Sequence, residues 1–434
     1  MNLSFRATRW IFSLAAERDY VASALLAVLL VTGAAQAQEF WQAVTTSPSV
    51  DALQQELKNG SRDAVDRFWA SAAKRTTPLV DGVPADPKHV FVTFLWKQVE
   101  TSPVPSLLAQ LIGDRTLHQV HGTDVWFKAY RMPTDYRFSY SFGFGASGES
   151  LFGGKPDPLN PHSLPPVGSY LEMSAAPPQA WIQPKPGVAK GTVSYQQIES
   201  PTLKNHHPLW TYVPAGYDPK GKPYPLLIFF FGSMYVKDMS ATVTLDNLIA
   251  ARRIPPVVAV FIEDPPGEGN QELRNHRSFL TFITDEVMPW IRKQWNVTHD
   301  PAQTTLCGAS AAGLVSGYLA MNRPDLFGNV IAQSGAFWRG NEGDEETFEY
   351  VTTELRSQPK MPIRFVLQPG QLEQLSTPSG GAGPSILTAN RNLRDVLRTK
   401  GYEVDYTEEP GGHEPLTWRG TIADGLITIF SGNK

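Results

Sequence analysis

A single cysteine, Cys307, in 434 residues excludes an internal disulfide. Charge of one sign is scarce as well: the net charge is −4, too small for a broad nucleic-acid footprint, and no nucleic-acid partner is expected. The histidines form no His-x-x-x-His pair, and no Gly-x-x-x-x-Gly-Lys is followed by Ser or Thr. Neither the common zinc sites nor a nucleotide phosphate loop is therefore expected, so no metal and no cofactor is assigned. The apolar run Val21–Val31 is too short to span a bilayer comfortably, and no stable membrane insertion is expected once the N-terminal segment is removed.

What is present starts with that segment. Arg6, Arg9 and Arg18 precede or flank the apolar run, and Ala35-Gln36-Ala37 is a small-x-small cleavage site. Residues 1–37 read as an export signal, with a mature start at Gln38 and a periplasmic or secreted location. The length suits two cored domains at about 150 residues each. With 41% hydrophobic and 18% charged residues the chain belongs among globular proteins.

Hydropathy patterning divides the chain. Residues 38–88 carry a helical pattern (Val50, Leu53, Leu57, Val65, Phe68, Trp69) and a Pro- and Gly-bearing connector. In 89–186, His89–Trp96, Val125–Tyr130 and Arg137–Phe142 read as short strands separated by turn residues, the pattern of a small β-sandwich. Gly187–Lys190 is the expected linker. From there to residue 434, apolar runs such as Pro225–Phe231 and Val257–Ile262 alternate with helical patterns at Asp285–Gln294, Ser385–Lys400 and Thr421–Phe430. Runs this apolar are strands buried on both faces, and the alternation means a mostly parallel, doubly wound α/β sheet.

One stretch in this second region carries chemistry. Thr305-Leu306-Cys307-Gly308-Ala309-Ser310-Ala311-Ala312-Gly313 reads as strand, sharp Gly-x-Ser turn and helix, the nucleophile elbow of an α/β hydrolase. A serine hydroxyl is a weak nucleophile until a base takes its proton, and the turn exposes it to that base. Gly is expected two residues after the serine, but Ala312 stands there. Cys307, just before the turn, reads as a small buried filler. In this fold an acid and a histidine follow the serine in that order. His413, behind Gly411-Gly412 and after the last strand, is the expected base. Glu373 is the first carboxylate after the strand Ile363–Leu367 and is the expected acid, although Glu408, Glu409 and Glu414 lie nearer His413 in sequence. The N–H groups of Ala311, at the helix start, and Ser233, in Gly232-Ser233-Met234 after Phe229-Phe230-Phe231, are the expected oxyanion donors. Trp338-Arg339, Trp418-Arg419 and Arg274 fall where the catalytic face should lie, and suit a flat, anionic, aromatic ligand.

Both regions together resemble the enterochelin esterases. His121-Gly122-Thr123-Asp124-Val125-Trp126, Pro133–Phe142 and Asp157-Pro158-Leu159-Asn160-Pro161 are similar to that family's N-terminal domain. Gly308-Ala309-Ser310, Arg323–Gly328, Gln333–Trp338 and Gly411–Gly420 are similar to its hydrolase domain. The resemblance implies a serine esterase that opens the trilactone of a catecholate siderophore, free or ferric. Iron would enter only as part of that small-molecule substrate. Two departures touch the oxyanion side: Ala312 replaces the usual Gly, and Phe231-Gly232 replaces the usual Asp-Gly. Two other functions fit the residues: a feruloyl- or acetyl-type carbohydrate esterase, and a non-catalytic siderophore- or carbohydrate-binding protein on the same scaffold.

Overall fold

The computed structural model describes residues 41–98, 103–111, 114–144, 154–164, 168–265, 273, 276–341, 347–374 and 383–431. The expected export signal, residues 1–37, lies outside them. Among the described residues, no helix is long and apolar enough to cross a membrane. The described residues form two compact units: those up to Leu107 with 114–134, and 108–111 with those from Asp135 onward.

In the first unit, helices α1 (Pro48–Lys58) and α2 (Ala64–Arg75) bury Val50, Leu53, Trp69 and Ala72. Five strands accompany them: β1 (Gln42–Val44), β2 (Leu79–Val83), β3 (Asp86–Lys97), β4 (His118–Gln119) and β5 (Val125–Pro133). They form one antiparallel sheet in the order β1-β5-β3-β2, with β4 beside β5. The expected strand at His89–Trp96 is the middle of β3, whose partner β5 lies opposite from His89↔Pro133 to Lys97↔Val125.

The second unit opens with a small antiparallel sheet: β6 (Arg137–Gly143), β7 (Ser163–Leu164) and β8 (Gly168–Glu172). The sequence pattern grouped β6 with β3 and β5 and put the break at 187–190. The compact units part at Thr134, so that β6 lies with the C-terminal region, to which it is tied. Tyr136 donates to Gln371 Oε1 at 2.9 Å, and the Ser139 N–H donates to both carboxylate oxygens of Glu414 at 3.0 Å.

Eight strands form the main sheet: β9 (Thr192–Ser200), β10 (Asn205–Val213), β11 (Leu226–Phe230), β12 (Val258–Ile262), β13 (Thr304–Ala309), β14 (Asn329–Gln333), β15 (Arg364–Gln368) and β16 (Glu403–Tyr406). Their order is β9-β10-β12-β11-β13-β14-β15-β16. The β9/β10 and β10/β12 pairs are antiparallel and the others parallel. The register shows why the central runs are wholly apolar. Leu226, Ile228 and Phe230 of β11 enter one core, with helix α6 (Ala311–Asn322) and helix α8 (Ile386–Thr399). Leu227 and Phe229 enter the other, with α3 (Ala241–Ala250) and α9 (Pro415–Ser431). A period-2 strand with apolar layers on both sides has no position left for a polar residue. This is the α/β-hydrolase fold, preceded by a β-rich N-terminal region. The remaining helices are α4 (His276–Thr281), which continues through a π-helical turn at Phe282–Val287 into α5 (Met288–Gln294), and α7 (Tyr350–Ser357).

Candidate active site

Strand β13 is buried along its whole length and delivers Ser310 at φ 56°, ψ −122°. A non-glycine residue at such positive φ costs on the order of 1–3 kcal/mol. Two bonds hold it there: the Ser310 N–H donates to the Gln333 carbonyl, and the Ala336 N–H donates to the Ser310 carbonyl, each at 2.9 Å. Behind the turn, a side chain on Gly308 would meet the Ala312 carbonyl carbon and oxygen at 2.4 Å. Gly308 therefore supplies the close packing of the elbow. The methyl of Ala312, at the position where Gly is usual, is fully buried without displacing the turn. Cys307 is buried, and burial drives its thiol pKa well up, so it serves as filler.

The other two expected catalytic side chains converge on this serine. His413 Nε2 lies 2.8 Å from Ser310 Oγ, and His413 Nδ1 lies 2.7 Å from Glu373 Oε1. The second oxygen of Glu373 accepts the Gly370 N–H at 2.8 Å, and the residue is 4% exposed. A carboxylate on Nδ1 keeps that nitrogen protonated and leaves Nε2 to accept the serine proton. The rival acids have other surroundings. Glu408 forms a two-pronged ion pair with Arg391 at 2.7 Å and accepts from Tyr406. Glu409 is lifted to about 7 by burial and by Asp424. Glu414 is fully buried against Ser139, and burial lifts it to about 7.

The oxyanion side differs from expectation at one of its two positions. Ala311 is the first residue of α6, so its N–H has no acceptor within the helix. Ser233 is already engaged: its N–H donates to Glu263 Oε2 at 2.6 Å. The cause is local. Phe231 takes φ 62°, Gly232 fits against the Phe261 carbonyl, and Ser233 falls at the start of the helical turn that runs into Met234–Asp238. Glu263, at the end of β12, caps that positive helix end. The sequence pattern marks the loop but carries no trace of this carboxylate.

The aromatic and basic residues separate into two groups. Trp418 is 5% exposed, donates from Nε1 to Ser334 Oγ at 2.8 Å and meets the His413 ring edge-on at 5.0 Å. It packs against the histidine ring. Arg419 is half-buried and its Nε donates to Gln179 Oε1 at 2.7 Å. Trp338 and Arg339 stay partly exposed, with the guanidinium 5.3 Å from the indole centroid. Arg274 lies outside the described residues. Among the described residues no group of three or more His, Cys, Asp or Glu could hold a metal ion.

Two contacts of the His413 loop had no sequence signal. Gln110 Oε1 accepts the His413 N–H at 2.6 Å, across 303 positions. Arg137 donates its N–H to the Pro410 carbonyl at 3.0 Å.

Both regions of the chain match families of known proteins. Residues 200–429 match the family model described as putative esterase, and residues 91–182 match that described as enterochelin esterase, N-terminal. The chain is 27% identical over 412 residues to an iron(III) enterobactin esterase of Dickeya dadantii (strain 3937), covering 85% of this chain and 93% of that protein. It is 26% identical to an iron(III) salmochelin esterase of Escherichia coli O6:H1, covering 87% and 97%. In fold it is similar to the crystal structure of ferric enterobactin esterase from Salmonella typhimurium, with a TM-score of 0.67, 24% identity and coverage of 84% and 99%. The enterobactin esterase of Shigella flexneri, crystallised in the presence of enterobactin, gives a TM-score of 0.66 at 22% identity, covering 85% and 99%. With the esterase match spanning more than half of its length and the N-terminal match ahead of it, the chain belongs to the putative esterase family of ester hydrolases, among its enterochelin esterases.

Proposed function

We propose that this protein hydrolyses the ester bonds of a catecholate siderophore trilactone, free or ferric, with Ser310 as nucleophile. The observation that carries the reading is the chain of contacts Ser310–His413–Glu373, at 2.8 and 2.7 Å, on an α/β-hydrolase sheet. Relatives named for enterobactin and salmochelin hydrolysis support the substrate class. The partly exposed Trp338–Arg339 pair supports it too, since an indole face and a guanidinium suit an anionic catecholate ring.

In the first half-reaction Ser310 Oγ attacks the ester carbonyl carbon while His413 Nε2 takes the hydroxyl proton. Glu373 holds the imidazole in place and stabilises the imidazolium that forms. The carbonyl oxygen, now an oxyanion, is met by the Ala311 N–H. Collapse breaks the ester C–O bond, and the departing seryl alkoxide takes the proton from His413. Water then attacks the acyl-enzyme by the same route, giving the acid and restoring Ser310. No protein-bound metal or cofactor takes part in this scheme, and any iron arrives with the substrate.

The test is hydrolysis of a serine trilactone by the Ser310→Ala chain. A fall of at least about 10³-fold with the fold intact is expected, and retained turnover would sink the assignment. A fluorophosphonate should label Ser310, whereas a binding protein on this scaffold would stay unlabelled. Faster turnover of feruloyl-arabinose than of the trilactone would move the substrate to plant phenolic esters. For location, the reading is export with cleavage after Ala37, supported by Ala35-Gln36-Ala37. Intact mass of the periplasmic or secreted protein should begin at Gln38.

A further inference from the structure

The His413 loop is seated by residues that come long before the hydrolase sheet. Leu108–Leu111 belongs to the second compact unit although it lies within the stretch matched by the enterochelin esterase N-terminal model. From it Gln110, 7% exposed, accepts the His413 N–H at 2.6 Å. The same amide lies flat on Gly412. A side chain there would fall 2.7–2.9 Å from Oε1, Cδ and Nε2 of Gln110. Strand β6 grips the rest of the loop. The Arg137 N–H holds the Pro410 carbonyl, and the Ser139 N–H holds the carboxyl group of Glu414. The imidazole must meet Ser310 and Glu373 at once, so a tilt of the peptide that carries it spoils both contacts.

We infer that Gln110 is a positioning residue for the catalytic base. The inference rests on the reading of His413 as base. Without the amide oxygen, the His413 N–H loses its acceptor in a partly buried loop, and the ring loses its fixed height above Ser310. A displacement of about 1 Å is enough to cost on the order of 10²-fold in rate.

The test uses the full chain and two readouts: phosphonylation rate of Ser310, and steady-state hydrolysis of p-nitrophenyl butyrate, whose small acyl group needs little beyond the serine. Gln110→Leu keeps the bulk and removes the acceptor. Both the labelling rate and kcat should fall about 10- to 100-fold, with KM within twofold and the unfolding temperature nearly unchanged. Gln110→Glu retains an acceptor oxygen and should recover to within about fivefold of the parent. Gly412→Ala, which pushes the amide off its seat, should reproduce the Gln110→Leu loss, and it carries the test if Gln110→Leu does not fold. Rates within twofold of the parent in Gln110→Leu or Gly412→Ala overturn the inference, as does a Gln110→Glu chain no better than Gln110→Leu. A parent chain that the phosphonate fails to label at Ser310 removes the functional reading first, and the inference with it.

Discussion

Glu373 and Glu414 are both buried carboxyl groups beside the same histidine, and they differ in what faces them. Glu373 has the imidazole on one oxygen and the Gly370 N–H on the other. Replacing it with Gln allows the wrong imidazole tautomer. Glu373→Gln should therefore keep the fold and lose on the order of 10³–10⁴ in kcat, measured with a soluble ester. Glu414 accepts the Ser139 N–H; hydrogen bonding to Ser139 lowers its pKa, as do His413 and Arg419 from farther off, and burial outweighs all three. Its folded pKa, about 7, lies above the ordinary 4.5, so the native state binds the proton more tightly than the unfolded chain does. The stability tied to this group is complete below about pH 4.5 and is lost as pH rises through about 7, on the order of 3 kcal/mol in total. Thermal unfolding should therefore occur at progressively lower temperature from pH 4.5 to 8. Glu414→Gln should flatten about half of that slope, because Glu409, also lifted to about 7, keeps its own share. A slope unchanged by the substitution would show that the proton is bound elsewhere.

At the scale of elements, the elbow is the feature most sensitive to a single methyl. A side chain on Gly308 would overlap the backbone of Ala312 at 2.4 Å, so Gly308→Ala should force the strand–helix turn open. The expected outcome is a loss of about 1–3 kcal/mol in denaturant unfolding, with activity falling further than stability. Ala312→Gly installs the residue usual at that position. It removes a buried methyl from a helix and should cost about 1 kcal/mol, with activity within threefold, because the turn already accommodates the methyl. The elbow string and the apolar β11 and β12 runs were legible because strand, turn and helix are short-range patterns. The cap that Glu263 places on Ser233 was not. It joins the ends of β11 and β12, which become neighbours only through parallel pairing.

At the scale of the molecule, the division at Thr134 alters how the chain can be cut. A polypeptide starting at Gly187, the break that the hydropathy pattern suggests, would lose Ser139 from Glu414, Tyr136 from Gln371 and Gln179 from the Leu416 carbonyl. It would also lose the Trp181 and Gln183 carbonyls that accept from Asn247. Buried polar groups left without partners cost about 1–3 kcal/mol each, so this fragment should be insoluble or melt far below the full chain when followed by circular dichroism. A fragment that melts with the full chain would mean that β6 adds nothing to the second unit.

The residue types and order along the chain were enough to determine the sheet, the exposed serine, the histidine loop and the identity of the acid's strand. Each depends on periodicity, turn chemistry or chain order, which are local or topological properties. Only the tertiary structure decided which of four glutamates meets His413, that Trp418 packs against the histidine ring, that Ser233 is engaged by Glu263, and that Gln110 reaches the base from 303 positions away. These are contacts between side chains brought together by the packing of separate elements, and their partners leave no periodic trace in the sequence.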